Sequence, residues 1–365
     1  MPRASRTQPF GFIREFATRW DTLALIVVLM VVTFLAAASR GLLAPLSQLD
    51  VTPLSLAPSH LPEYAARTTL RMFAAMVLSL LFTLTYATWA AKSPRAGRFL
   101  VPLLDILQSV PILGFISITV VFFMALVPGR VLGAEFAAIF AIFTSQAWNM
   151  AFSFYQSLRT VPTELSEAAA SFHLTPWMRF WQLEVPFALP ALTWNMMMSM
   201  SGGWFFVVAS ESISVGHTHV ALPGVGSYIA LAIEQRNLHA IGWAITTMAL
   251  VILVYDQLLF RPLIAWVDRF RVEQEPGAEP PSSWALNMLR RSRLIKALTV
   301  SFYALVRWTS WALPAPALPK ANARRASASW VRDALWLTVL VAAGALAVRK
   351  LGQALWSGTN LAELR

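Results

Sequence analysis

Residues 164–190 read ELSEAAASFHLTPWMRFWQLEVPFALP, a polar and helix-prone stretch between two long apolar segments. Pro162 and Glu164 favour the start of a helix, and the alanines at 168–170 are strong helix formers with little bulk. Thr175 followed by Pro176 is typical of the cap and first position of a second helix. Helices this short are marginal alone in water, so the stretch is predicted to dock on another protein.

The composition indicates a membrane protein. Of the 365 residues, 57% are hydrophobic and only 13% are charged, whereas a soluble domain carries about 25% charged residues. The chain has no cysteine, which excludes disulfides and thiolate metal sites. The net charge of +11 is attributed to Lys and Arg in cytoplasmic loops, so no nucleic-acid partner is expected.

Apolar runs predict the spans. They lie at residues 23–38, 70–90, 99–126, 136–158, 186–210, 241–260 and 334–348. A helix crosses the bilayer with about 20 apolar residues, so the first and last runs are slightly short. The first run is longer than the apolar core of most signal peptides, and cleavage is the less favoured alternative. The predicted fold class is an all-α, polytopic helical bundle.

The distribution of basic residues predicts the orientation. With the amino terminus inside, 21 Lys and Arg residues fall on the cytoplasmic side and five on the opposite side, Arg71 among the five. Basic residues concentrate in cytoplasmic loops. The sequence therefore predicts a multi-pass protein with a cytoplasmic amino terminus, and it places residues 164–185 in the cytoplasm.

The same stretch carries a family signature. The chain resembles the permease subunits of binding-protein-dependent ABC importers, whose cytoplasmic loop contains a Glu-Ala-Ala triplet, a following glycine and an aliphatic-Pro end. The matching residues are Glu167, Ala168, Ala169, Val185, Pro186 and Pro190. His173 stands where the glycine is expected, and non-glycine residues with positive φ are uncommon, although His tolerates this conformation better than most. The two short helices are therefore expected to meet at a different angle.

Further motifs extend the resemblance to about residues 63–270. LLDILQSVPILGF at 103–115 is similar to a third-span motif of the nitrate, sulfonate, taurine and bicarbonate branch. GWFFVVASE at 203–211 and LPGVGSYI at 222–229 resemble the end of the fifth span and the external loop. The resemblance implies a permease core of five to six spans at 63–270, with a coupling loop at 159–185 and a seventh, carboxyl-terminal span.

The resemblance also implies a division of labour in the bacterial inner membrane. ATPase subunits would receive the loop, a periplasmic binding protein would deliver a small anion, and a second permease domain, as a homodimer or a fused copy, would complete the path. The residues implied to couple to the ATPase are Glu164, Leu165, Glu167, Ala168, Ala169, His173 and Leu174. No GxxxxGK[ST] stretch occurs, so ATP is expected on the partner. No catalytic residue, cofactor or metal is expected on this chain.

Polar residues within the spans are candidates for lining the path. Asp105 and Gln108 share one helix face, Ser109 follows them, and Pro111 then interrupts the helix. The alternative is hydrogen bonding between packed helices, which is favoured for Asn149 and Asn195. The predicted spans are otherwise nearly free of charged residues.

The two ends of the chain form separate regions. Residues 1–62 hold the amino-terminal tail, first span and external loop, and residues 271–328 form a cytoplasmic linker with a basic amphipathic helix suited to anionic membrane lipid. Residues 329–365 contain a further span that echoes residues 19–40. The repeat predicts the start of a second permease domain, and the alternative is a lone seventh helix.

Two other function classes predict different patterns. A secondary carrier or channel without an ATPase partner would show charged or broken helices at the midplane and paired inverted halves. A membrane enzyme would need His, Asp or Glu clustered near one interface. The sequence shows neither pattern, which favours the importer permease.

Overall fold

The protein is described by a computed structural model covering residues 54–110, 112–215, 218–271 and 283–291, together with Leu29 and Thr33. A 3-10 turn at Pro58–His60 leads into helix α1, Leu61–Lys92. Three helical stretches in these residues are long and apolar enough to cross a membrane, namely Pro58–Lys92, Val131–Arg159 and Leu238–Phe270. The predicted helical bundle is confirmed.

The apolar run at 99–126 forms two helices rather than one. Helix α2 covers Pro94–Ser109 and helix α3 covers Ile112–Leu126. Val110 between them is extended, with φ −75° and ψ 129°, because a following proline disfavours the helical conformation of the residue before it. The break predicted at Pro111 is therefore present, and it divides the third apolar run.

Helix α4, Val131–Arg159, is the central helix of the bundle. It packs against α1 and against helix α7, Val185–Glu211. The largest apolar core joins the three, and its members include Met72, Ile142, Met150, Phe154, Leu192 and Val207. Gly203 allows close contact here, since a Cβ at this position would lie 2.9 Å from the Met72 Cε.

Two short helices connect α4 to α7, as predicted. Helix α5 covers Thr163–Ser171 and helix α6 covers Pro176–Arg179. The Thr175 hydroxyl accepts a hydrogen bond from the Met178 N–H at 3.3 Å, which confirms the predicted cap. A π-helical turn, Phe180–Glu184, then joins α6 to α7.

The region after α7 contains elements that periodicity did not predict. A short antiparallel hairpin, β1 Ser212–Val215 with β2 Thr218–Ala221, pairs Ser212 with Ala221. Helix α8, Val225–Glu234, follows it and was not predicted either. Helix α9, Leu238–Tyr255, lies in the apolar run predicted at 241–260 and is part of a stretch apolar enough to cross a membrane. A second π-helical turn, helix α10 and a 3-10 turn complete this part at Asp256–Phe260, Arg261–Val267 and Asp268–Phe270.

Helix α11, Trp284–Arg291, is the described part of the predicted basic amphipathic helix. The indole N–H of Trp284 donates to the Gln257 side-chain oxygen at 3.3 Å, and α11 packs on α10. The predicted spans at 23–38 and 334–348 lie outside the described residues, apart from Leu29 and Thr33. The proposed internal repeat and domain limits stay predictions.

Candidate functional site

Residues 163–184, here called the elbow, turn sharply after α5. His173 has φ 51°, so it adopts the left-handed conformation that usually requires glycine. The Leu174 N–H donates to the Ala169 carbonyl at 3.1 Å and the His173 N–H to the Ala170 carbonyl at 2.9 Å, which together form a Schellman motif. His173 therefore occupies the left-handed position of the turn, where the family signature has glycine.

The elbow presents both acidic and apolar side chains to its surroundings. Glu164, Glu167, Ala168 and His173 are exposed, Leu165 and Leu174 are half-buried, and Ala169 is buried. Phe172, which the sequence reasoning did not select, is 79% exposed beside the turn. The exposed set thus combines two carboxylates with an aromatic ring.

A buried carboxylate attaches the elbow to the bundle. Glu184 pairs with the Lys92 ammonium at 2.8 Å and with the Arg179 Nε at 3.1 Å. Arg179 also donates from a terminal nitrogen to the Ser166 hydroxyl at 3.1 Å, and the Lys92 ammonium lies 4.9 Å from the centre of the Phe180 ring. These contacts link α5, α6 and the π-helical turn to the end of α1.

Three of the five polar residues predicted for the path, namely Gln108, Asn149 and Asn195, meet at one face of α4. The Gln108 side-chain nitrogen donates to the Asn149 oxygen at 3.1 Å, and the Asn195 nitrogen donates to the Ser153 hydroxyl at 2.9 Å. Asn149 and Ser153 are four residues apart and share a helix face. Asn195 therefore joins α7 to α4, whereas Asn149 joins α4 to α2.

The other two path candidates lie on α2. Asp105 and Ser109 are exposed in the chain. The Ser109 hydroxyl donates to the Asp105 main-chain carbonyl at 2.8 Å. Both residues remain on the same open side of α2 as Gln108.

A charged cluster lies inside the bundle, and the sequence reasoning missed it. The Arg71 guanidinium donates to both carboxylate oxygens of Glu135 at 2.6 Å and to Glu211 at 2.7 Å. The Arg71 side chain is 2% exposed. The sequence analysis counted Arg71 only as one of the basic residues on the side opposite the cytoplasm, whereas α1, which begins ten residues earlier, carries it into the bundle. The prediction that the spans are nearly free of charge was wrong where Arg71, Glu135 and Glu211 meet.

Glu211 also caps helix α8. Its Oε2 accepts from the Gly226 N–H at 2.6 Å, while the Thr68 hydroxyl accepts from the Val225 N–H at 3.0 Å and donates to Glu211 at 2.6 Å. A Cβ at Gly224 would overlap the Glu211 carboxylate. The glycines of LPGVGSYI therefore let the main chain approach the carboxylate closely.

A signal for this cluster was present in the sequence. Glu211 ends the GWFFVVASE motif directly before the glycine-rich stretch. Arg71 stands at the start of the apolar run 70–90 and Glu135 directly precedes the run 136–158, where an ionised side chain needs a partner. In the predicted topology Arg71, Glu135 and Glu211 all stand at span ends on the same side of the membrane. Pairing the opposite charges at these ends predicts that the three residues meet.

Comparison with known proteins identifies the family. Residues 83–269 match the family described as "Binding-protein-dependent transport system inner membrane component". The match covers just over half of the 365 residues. The chain belongs to this family. The predicted resemblance and the predicted inner-membrane, multi-pass character are confirmed.

Several curated permeases are similar to the chain. The glycine betaine/carnitine permease GbuB of Listeria monocytogenes is 27% identical over 185 residues, which are 50% of this chain and 59% of that protein. The bicarbonate permease CmpB of Synechococcus elongatus is 23% identical over 176 residues, 48% of this chain and 57% of that protein. The chain spans about half the length of the curated relatives it matches.

One solved structure is also similar. It is the MetNI methionine ABC transporter in inward-facing conformations, with 19% identity and a TM-score of 0.42. The match covers 55% of this chain and 94% of that one.

Proposed function

We propose that this chain is the membrane permease of an ATP-driven importer, and that the elbow docks in a cleft of a separate ATPase subunit. The observation that carries the proposal is the elbow itself. It exposes Glu164, Glu167 and the ring of Phe172, while Glu184 attaches it to α1. An exposed acidic and aromatic surface that is attached to the bundle supports docking on a protein with a complementary cleft.

The anchoring gives the elbow a mechanical role. Because Glu184 pairs with Lys92 on α1 and directly precedes α7, a displacement of the elbow would move the ends of both helices. We expect Glu167 to meet a basic residue of the ATPase, and Phe172 to fill an apolar pocket there. ATP would then be bound and hydrolysed on the partner, with no cofactor on this chain.

The polar residues on α2 and α4 support a path at an interface with a second permease domain. Asp105, Gln108 and Asn149 are exposed in the chain, and polar side chains within spans usually face the bundle interior or a water-filled cavity rather than lipid. Trp194 and Phe205 on α7 are also exposed. A second copy of the chain, or a fused permease domain, would cover this side and leave the polar groups along the path.

The substrate we propose is a small molecule with an anionic group. The similar permeases are named for bicarbonate and for glycine betaine or carnitine, and each of these molecules carries a carboxylate or carbonate group. An external binding protein would select among them. Uptake of labelled bicarbonate and labelled glycine betaine by cells with and without the chain distinguishes the two.

The decisive experiment tests the elbow. We expect Glu167→Arg to abolish co-purification of the ATPase subunit, because the substitution places a cation opposite the expected basic residue. Glu234→Arg is the matched control, since Glu234 is an exposed glutamate on α8, far along the chain from the elbow. Insertion is checked for both variants by membrane fractionation.

Normal ATPase recovery with the Glu167→Arg variant would refute the docking assignment. If the wild-type chain brings down no ATPase at all but still supports uptake, the secondary carrier or channel becomes the better description.

A further inference from the structure

A small cavity lies between α7 and the end of α9. Its walls are three aromatic side chains, Trp204, Tyr255 and Phe260, two methionines and an isoleucine, together with the polar residues Ser201 and Asp256. The cavity volume is about 80 Å³. A water molecule occupies about 30 Å³ in the liquid, so the cavity has room for a compact group of a few non-hydrogen atoms.

The carboxylate of the cavity lies far from both ends of the membrane-spanning stretch Leu238–Phe270. Asp256 stands 18 residues after the start of this stretch and 14 residues before its end. At about 1.5 Å per residue the nearer end is about 20 Å away, which is more than half of the roughly 30 Å apolar thickness of a bilayer. Ionisable residues at such a depth are rare and usually mark the path of a substrate or an ion.

The π-helical turn Asp256–Phe260 brings two of the aromatic rings together. Consecutive residues of a regular α-helix are about 100° apart around its axis, so residues five apart, such as Tyr255 and Phe260, would point in different directions. The π-helical turn instead closes hydrogen bonds between residues five apart, and the two ring centres lie 5.9 Å apart. The Trp204 ring meets Tyr255 edge to face, with centres 6.3 Å apart. Single π-helical turns of this kind are frequent at functional sites.

The Asp256 carboxylate supplies negative charge at the cavity wall. In the described part of the chain, both hydrogen bonds that it accepts go to its Oδ2, from the Arg261 Nε at 3.1 Å and from the Gln257 side-chain nitrogen at 3.2 Å. The other carboxylate oxygen, Oδ1, is therefore open to a ligand. No lysine or arginine among the described residues lines the cavity, so an anion would find no charged partner there.

The other polar groups of the cavity also suit a cation that needs few hydrogen bonds. The Tyr255 hydroxyl is buried and has no hydrogen-bond partner within the described ranges. The Ser201 hydroxyl donates to the Met197 carbonyl at 3.1 Å, so its oxygen remains an acceptor. A metal ion such as Ca²⁺ takes about six to eight oxygen ligands, more than these walls offer. A methylated ammonium group has no N–H to satisfy and is attracted to aromatic rings, most strongly to tryptophan.

We propose that this cavity binds the methylated ammonium group of a small organic substrate. A cation is attracted to rings whose centres lie within about 6 Å, and an occupant of so small a cavity lies close to all of its walls. Ser201 is exposed and stands four residues before the exposed Phe205, on the same face of α7. The cavity therefore borders the side that the proposed function assigns to the path, and its role in transport rests on that function. Of the two substrates proposed above, glycine betaine carries such a group and bicarbonate does not.

Choline binding to the purified full chain in lipid nanodiscs tests the site without any partner protein. Choline carries a trimethylammonium group, and 3,3-dimethyl-1-butanol has nearly the same shape without the charge. We expect the neutral compound to compete with labelled choline about thirtyfold more weakly than unlabelled choline does, because a desolvated cation–π interaction of about 2 kcal/mol corresponds to this ratio. Equal competition by the two compounds would overturn recognition of the charge. Displacement of choline by Na⁺ or K⁺ at the same concentrations would overturn recognition of the methyl groups.

Substitutions in the same assay locate the site. Tyr255→Leu removes a ring and should weaken choline binding by about tenfold, whereas Tyr255→Phe keeps the ring and should change binding by less than about twofold. Trp204→Leu should also weaken binding by about tenfold. Trp243→Leu is the matched control and should bind as wild type, because Trp243 is an exposed tryptophan of α9 outside the cavity. Gel filtration checks that each variant is folded, and the comparison of choline with its neutral analogue on the wild-type chain needs no substitution.

The outcomes separate this site from the proposed function. An equal loss of binding in Tyr255→Phe and Tyr255→Leu would contradict recognition by the ring, and an equal loss in Trp243→Leu would contradict the location. If the wild-type chain brings down no ATPase yet binds choline as expected, the importer function is wrong and the cavity assignment stands. If the ATPase co-purifies but the wild-type chain shows no saturable choline binding, the cavity assignment is wrong and the importer function stands.

Discussion

His173→Gly is expected to stabilise the elbow, although it removes a side chain from a candidate site. His173 has φ 51°, a conformation that costs a residue with a Cβ about 1–2 kcal/mol. Glycine avoids this cost but loses more chain entropy on folding, by about 0.5–1 kcal/mol. The difference leaves a net stabilisation of about 0.5–1 kcal/mol.

Amide exchange measures this change locally. The Leu174 N–H closes the turn by donating to the Ala169 carbonyl at 3.1 Å. A stabilisation of about 0.5–1 kcal/mol should slow its exchange by about twofold to fivefold. The experiment uses the full chain in nanodiscs and follows the peptide that contains residues 168–176.

Ser171→Gly provides a matched control in the same elbow. Ser171 is the last residue of α5, and glycine is less favourable than serine in a helix by roughly a few tenths of a kcal/mol. This variant should therefore speed the exchange of the same amides. Equal acceleration in both variants would show that the left-handed conformation of His173 carries no strain, and the reasoning would fail.

Two further predictions concern the anchors at the two ends of α7. Glu184→Gln removes both ion pairs of the elbow, but Lys92 and Arg179 are about 40% exposed, so we expect a loss of only about 1 kcal/mol and about fivefold faster trypsin cleavage after Arg179. Glu63→Gln, which removes the exposed pair with Arg67, should leave that cleavage unchanged, and an equal effect of both would contradict the anchoring role. Gly224→Ala should sharply reduce the yield of folded protein in a detergent gel-filtration assay, because a Cβ there overlaps the Glu211 carboxylate. Gly242→Ala, with nothing within 4 Å of the added carbon, should be tolerated, and full recovery of Gly224→Ala would disprove the close approach.

Most of the helical framework could be predicted from the sequence, because lipid imposes a simple rule on spans. The apolar runs at 70–90, 136–158 and 241–260 lie within the three helical stretches that are long and apolar enough to cross a membrane, and the run at 186–210 lies within α7. Pro111 correctly marked a break, since proline affects the residue before it in any surroundings. Thr175 and Pro176 correctly marked a helix start, because capping is a local interaction.

The missed features depend on contacts between residues far apart in the chain. Arg71 and Glu211 are separated by 140 positions, and periodicity within one segment contains no information about such a pair. Helix α8 was missed because its cap comes from Thr68 and Glu211 rather than from a residue next to it. The left-handed conformation of His173 does not follow from its residue type, because only the surrounding turn forces a histidine to adopt it.

The local sequence pattern does not predict which side chains of the elbow and the path are exposed or meet. The triplet at 167–169 identified the segment, yet the exposure of Phe172 comes from the turn at His173. Gln108 and Asn149 were selected separately, and only the packing of α2 on α4 unites them. Sequence thus located the candidate regions, whereas packing decided which side chains meet.

The spacing of two charged residues on helix α1 limits where the chain can gain or lose residues. It carries Arg71 toward Glu211 and Lys92 toward Glu184, and each residue added to an α-helix rotates the later part of that helix by about 100°. One inserted or deleted residue between positions 71 and 92 would turn one of these two side chains away from its carboxylate. Homologues that keep both pairs should therefore keep the spacing between them unaltered, while length changes collect elsewhere in the chain.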